Sequence, residues 1–102
     1  MLKNPKKQIY FVVTITMTIK VLYYVDSDDN TKGSLMAFPN DKDLRNMEAI
    51  EQIGQMLHEA NFGDKISICN SVAWEVVYHG NAELICQMGT YEFGWEEIEL
   101  IS

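Results

Sequence analysis

Apolar and polar residues alternate along the first quarter of the chain. From Val13 to Val25 every odd position is apolar, through Ile15, Met17, Ile19, Val21 and Tyr23; Thr14, Thr16, Thr18 and Lys20 hold the even positions before Leu22 and Tyr24. A period of two marks a strand with one buried face, and threonine on the other face keeps strand propensity without adding apolar surface. The run is long for one strand, so a bulge or bend is expected within it. The polar stretch Asp26–Gly33 reads as a turn and Ser34–Phe38 as a second strand stopped by Pro39, which predicts a hairpin.

The period then changes. Asn40-Asp-Lys-Asp43 offers N-caps and first-turn acids, and Met47, Ile50, Ile53, Leu57 and Ala60 recur at helical spacing, with Gly54 in the same arc. Glu48, Glu51, Gln52, Gln55, His58 and Glu59 fill the opposite arc, and Gly63 is the expected C-terminal cap. Beyond it, Lys65–Asn70, Val72–Tyr78 and Ala82–Met88 are rich in β-branched and aromatic residues and read as strands. Matching Val72, Trp74, Val76 and Tyr78 to Ala82, Leu84, Cys86 and Met88 calls for a three-residue His79-Gly80-Asn81 loop or an equivalent bulge. In the last segment, Thr90–Ile101, Tyr91, Phe93 and Trp95 keep one phase while Ile98 and Leu100 keep the other, which predicts a phase slip near Glu96-Glu97. The expected fold is α+β: an antiparallel sheet of five to six strands with one helix packed on one face, in the order β-β-α-β-β-β. Residues 1–102 read as a single domain, with 1–7 a flexible basic arm.

Charge narrows the choice of partners. The first 20 residues carry four lysines and no acid, whereas everything after them holds all 15 acids against Lys32, Lys42, Arg45 and Lys65, and the whole chain sums to −7. Such a field repels phosphate, so direct binding of nucleic acid or an anionic membrane is not expected. A protein partner with a basic surface fits better, and a homodimer is the alternative. Lys3, Lys6 and Lys7 before Ile9–Val13 have the outline of a secretory leader. The threonines and Lys20 break the apolar run, no small-x-small pattern follows, and the run is too short to span a membrane. The expected compartment is therefore cytoplasmic, with Cys69 and Cys86 as reduced, packed thiols.

Candidate chemistry is thin. Asp26-x-Asp28-x-Asn30 repeats the first half of an EF-hand loop, but Thr31 stands at the glycine position and Ala37 at that of the bidentate glutamate. His58, Cys69, His79 and Cys86 lack metal-ligand spacing, and a Cys86–His79 pair has no third residue to orient it. No phosphate-cradling loop or nucleophile elbow is present. No catalytic residue, cofactor or metal is expected. The segment Thr90–Leu100 stands apart because aromatics alternate with carboxylates. Tyr91, Glu92, Phe93, Trp95, Glu96, Glu97 and Glu99 are the candidate partner-binding residues, as aromatic anchors in a negative field suit a basic surface. The competing reading makes the aromatics core and the acids an edge-blunting row.

In size and charge the chain is similar to small acidic bacterial or phage proteins that inhibit nucleic-acid-binding enzymes by covering their basic sites, such as toxin immunity, anti-restriction and anti-CRISPR proteins. That likeness involves no motif. The expected function is a small acidic protein-binding module of inhibitor or immunity type. The alternatives are a small-ligand-binding domain or minor enzyme, and a structural subunit that oligomerises through its sheet or long first strand.

Overall fold

A computed structural model describes residues 16–86 and 89–101. Among these are four strands and two helices in the order β-β-α-α-β-β: β1 (Thr16–Asp26), β2 (Lys32–Pro39), α1 (Met47–Glu59), α2 (Ile66–His79), β3 (Asn81–Cys86) and β4 (Gly89–Ile101). The strands form one antiparallel sheet in the order β2-β1-β4-β3. The expectation of five to six strands and one helix is overturned: the segments Lys65–Asn70 and Val72–Tyr78 are helix, not sheet. The proposed arm at residues 1–7, and the start of the long apolar run, lie outside the described residues.

The sequence of α2 explains the difference. Its β-branched and aromatic residues favour strand by propensity, but Cys69, Val72, Ala73 and Val76 fall on one helical stripe and are all buried. Burial of a stripe outweighs propensity differences of a few tenths of a kcal/mol per residue. Trp74 and Tyr78, taken in period two as partners of Val72 and Val76, are instead an i,i+4 pair on the outer face, with ring centroids 4.7 Å apart. Gly80 adopts a left-handed conformation (φ 85°) and closes the helix by donating its N–H to the Val76 carbonyl. The anticipated three-residue hairpin loop is therefore a helix-to-strand connection.

Helix α1 begins later than expected, at Asn46, whose side-chain oxygen accepts from the Ala49 N–H at 2.8 Å. Ala49, Ile50, Ile53, Gly54 and Leu57 form its buried stripe, whereas Met47 and Ala60 face solvent. Its end is set by Asn61 and not by Gly63. Asn61 is left-handed (φ 65°), its N–H donates to His58, and the Phe62 N–H reaches back to Leu57 at 3.0 Å. This is the double-bonded Schellman ending, with the apolar Phe62 folded back onto the core.

The first hairpin is present, but the bulge expected within the long first run falls on its partner. The register shift between Leu22 and Tyr23 leaves Leu35 of β2 as the extra residue, while β1 itself pairs with β4 without interruption. The buried face is the opposite one from that expected. Leu22 and Tyr24, at even positions, pack beneath the helices with Phe38, Phe93 and Leu84. The odd row, Met17, Ile19, Val21, Tyr23 and Val25, lies on the face that no described helix covers. Val21 is buried there, yet stands outside the core cluster. Strand β4 pairs with β1 in unbroken register from Tyr91 to Ile101, so the phase slip near Glu96-Glu97 is absent. The change of pattern marks where the helices end: Tyr91, Phe93 and Trp95 lie under them, and Glu97 and Glu99 continue the same row beyond them.

Candidate functional site

The seven residues expected to bind a partner do not form one patch. Alternation along β4 sends Tyr91, Phe93, Trp95, Glu97 and Glu99 to the helix side, and Glu92 and Glu96 to the open side. Phe93 is buried in the core; Tyr91 and Trp95 pack against it. Tyr91 and Phe93 stand edge-on to Phe62, at 5.0 and 5.3 Å between centroids. The Trp95 indole N–H donates to the Val76 carbonyl at 2.8 Å. Burial raises the Tyr91 phenol above its ordinary pKa, with Asp26 the next contributor. These aromatics hold the sheet to the helices and are not displayed as anchors.

The carboxylates divide further by their neighbours. Glu96 pairs with Lys32 at 3.2 Å, and the Lys32 ammonium also lies 4.4 Å from the centre of the Tyr23 ring. Glu92 stands across from Glu83 on β3, two like charges on the open face. Glu97 faces Lys20 across the β1–β4 ladder, but the Lys20 side chain turns away to donate to the Lys42 carbonyl. Glu99 faces Thr18. Neither Glu97 nor Glu99 has an ion-pair partner among the described residues.

These two acids lie on a ribbon that outruns the rest of the sheet. Pairing of β3 with β4 stops at Gly94, and pairing of β2 with β1 stops at Ile19. Past those points only β1 and β4 continue. On the open side of the ribbon Met17, Ile98 and Leu100 are 56%, 37% and 46% exposed; on the other side, in the row of Glu97 and Glu99, the terminal Ile101 is 70% exposed. Direction of the backbone groups follows from one bond outside the ladder. The Thr90 carbonyl accepts from Ser27, at the β1 side. With no bulge in β4, even positions therefore point to β1, and Trp95, Glu97, Glu99 and Ile101 point their N–H and C=O groups to the other edge. Over residues 95–101 no described strand covers that edge.

A second exposed feature, missed in the sequence, is the Trp74–Tyr78 stack on α2, with His79 edge-on to Trp74 and bonded to Glu75. The i,i+4 spacing of the two aromatics was its signal, hidden by reading the segment in period two.

The other candidates resolve into structural roles. Asp26 accepts from the Asp28 N–H, and Asp29 accepts from both the N–H and the hydroxyl of Thr31, so these side chains stitch their own turn. Among the described residues no group of three or more His, Cys, Asp or Glu side chains is placed to hold a metal ion. Cys69 is buried and its thiol is pushed up by that burial and by Asp64. Cys86 lines a cleft of about 300 Å³ with Asn61, Phe62, Gly63, Ile68 and Leu84. No described helix is long and apolar enough to cross a membrane.

No protein-family model, no curated protein and no solved structure matches this chain.

Proposed function

We propose that this protein is a small acidic protein-binding module that covers a basic surface on a partner, of the kind an inhibitor or immunity protein covers on a nucleic-acid-binding enzyme, in a bacterial or phage setting. One observation carries the reading. Of the 15 acids, only Asp43, Glu75 and Glu96 have an ion-pair partner among the described residues, and none of the 15 is buried. Of the other twelve, all but Asp26, half-buried in its own turn, are exposed. Such a field speeds encounter with a basic surface and repels nucleic acid itself.

The test is capture of partners from nuclease-treated bacterial lysate, followed by affinity measurements on each purified partner across a salt series. A basic, nucleic-acid-binding partner is expected, with association slowing as the Debye length falls from ~10 Å at 0.1 M to ~3 Å at 1 M. Glu97→Lys/Glu99→Lys should weaken binding more than Asp28→Lys/Asp29→Lys. Affinity indifferent to salt and to both reversals would leave the acidity as a solubility feature.

A further inference from the structure

We infer that the free edge of β4 over Trp95–Ile101 takes up an extended strand of a partner in which basic residues alternate with apolar ones. The inference deepens the proposed basic-partner reading and rests on it.

The backbone supplies the first part of the argument. A seven-residue stretch of β4 is held by β1 on one side and by no described strand on the other. Its outward N–H and C=O groups, at Trp95, Glu97, Glu99 and Ile101, are a template for main-chain pairing. A two-stranded ribbon is marginal by itself, and a third strand is what such a ribbon lacks.

The side chains specify the guest. On the helix side the edge offers Glu97 and Glu99, two positions apart and without ion-pair partners among the described residues. On the open side it offers Ile98 and Leu100, both exposed, beside Met17. Residues opposite each other in a sheet share a face. Over Glu97–Leu100 a strand laid along this edge therefore meets carboxylates with every second side chain and apolar surface with those between. Glu96, on the apolar row, is already paired with Lys32, and Trp95 and Ile101 flank Glu97 and Glu99. Lysine or arginine alternating with valine, isoleucine or leucine satisfies both rows.

A second copy fits poorly. In a two-fold antiparallel pairing of β4 with itself, any register that overlaps by more than three residues sets Glu97 or Glu99 against a carboxylate of the other copy. Like charges directly opposite destabilise a sheet. The same two acids that attract a basic strand thus discourage self-pairing.

The test uses three synthetic peptides on the full chain labelled with ¹⁵N: Lys-Val-Lys-Val-Lys-Val-Lys, the same sequence N-methylated at alternate residues, and a block peptide of the same composition. The alternating peptide should slow amide exchange at Glu97 and Glu99 at least tenfold, and the other two should not. Glu99→Pro removes one outward N–H while leaving the β1–β4 ladder intact, and should abolish the protection. Glu99→Gln keeps that N–H and should weaken binding mainly at low salt. A dispersed spectrum with the native Trp95 indole signal shows that each variant is folded. Equal binding of all three peptides, weakened by salt, would overturn strand addition and leave the acidic-surface reading standing. No protection by any of them would overturn strand addition outright. So would a dimer of the free chain that Glu99→Pro dissociates, since the edge would then belong to a second copy.

Discussion

The indole N–H of Trp95 and the N–H of Gly80 share one acceptor, the carbonyl of Val76, at 2.8 and 3.1 Å. A single oxygen thus ends α2 and ties that helix to β4, half-way between the covered and the free part of the strand. Trp95→Phe keeps most of the ring contact with Phe38 and removes the bond. The Val76 carbonyl still has Gly80, so the cost should be near that of one hydrogen bond, about 1 kcal/mol. Trp95→Ala should cost more, approaching the ~3 kcal/mol lower range of buried aromatic truncations because the ring is only partly buried. Urea midpoints at constant slope check both values.

Glycine to alanine inside a helix ordinarily stabilises, by about 1 kcal/mol. Gly54 should reverse that sign. A methyl group there would collide with the Asn70 side-chain oxygen and stand 3.1 Å from the Asn70 Cα, because α1 and α2 meet at this point. Asn70 Oδ1 is itself buried without a hydrogen-bond partner. Gly54→Ala is expected to destabilise, and to do so by at least about 0.5 kcal/mol less in an Asn70→Ala background. A double-mutant cycle on unfolding free energies measures the coupling, and additive effects would contradict the contact.

The first turn carries a pH dependence. The Thr31 hydroxyl, then the Thr31 N–H, hold the Asp29 carboxyl below its ordinary pKa of 3.8. A carboxyl depressed on folding stabilises the fold above its unfolded value and loses that contribution as pH falls through its folded value. Thr31→Val should therefore raise the Asp29 midpoint toward the ordinary value, read by ¹³C titration of the side-chain carbonyl. It should also flatten the turn's stability between neutral pH and the acid range. An unmoved midpoint would show that the hydroxyl bond is not formed in solution.

Thiol chemistry separates the two cysteines. Cys69 is completely buried between the helices, and Cys86 borders an open cleft. A maleimide added to the native protein should label Cys86 alone, with Cys69 reacting only at the rate of unfolding. Mass spectrometry of the intact chain counts the labels. Two labels appearing together in native buffer would mean that the helix pair opens readily.

The first hairpin and the first helix were legible in the sequence; the second helix and the inward face of β1 were not, each for its own reason. The hairpin of β1 and β2 announced itself by alternation and by the turn at Asp26–Gly33. The first helix showed its stripe at Ile50, Ile53 and Leu57. The second helix did not, because Ile66, Ile68, Val72, Trp74 and Val76 keep a period of two, only Val72 and Val76 of them also belong to the buried helical stripe, and β-branched composition tipped the choice the wrong way. Its sequence signature was the stripe Cys69, Val72, Ala73, Val76 with a glycine four places on. The inward face of β1 was misjudged for a different reason. The odd row is apolar throughout, but only the even pair Leu22 and Tyr24 meets helices, and alternation cannot say on which side a helix will dock. For the site, the charge imbalance was visible from composition, whereas the solvent-facing pair Glu97 and Glu99 was not. Their separation from Glu96 depends on where Lys32 and Lys20 reach, which is a fact of three dimensions.

The ladder between β1 and β4 joins residues as distant along the chain as Thr16 and Ile101. During synthesis β1 and β2 emerge first and can close their hairpin at once, but the other side of β1 has to wait for two helices and a strand. The sheet's central seam therefore closes the longest loop in the fold and carries its largest chain-closure entropy. A chain halted before β4 would present the inner edge of β1 unpaired, with Leu22 and Tyr24 uncovered by any β4 aromatic. Such a nascent chain is a target for chaperones and for misassembly between neighbouring ribosomes.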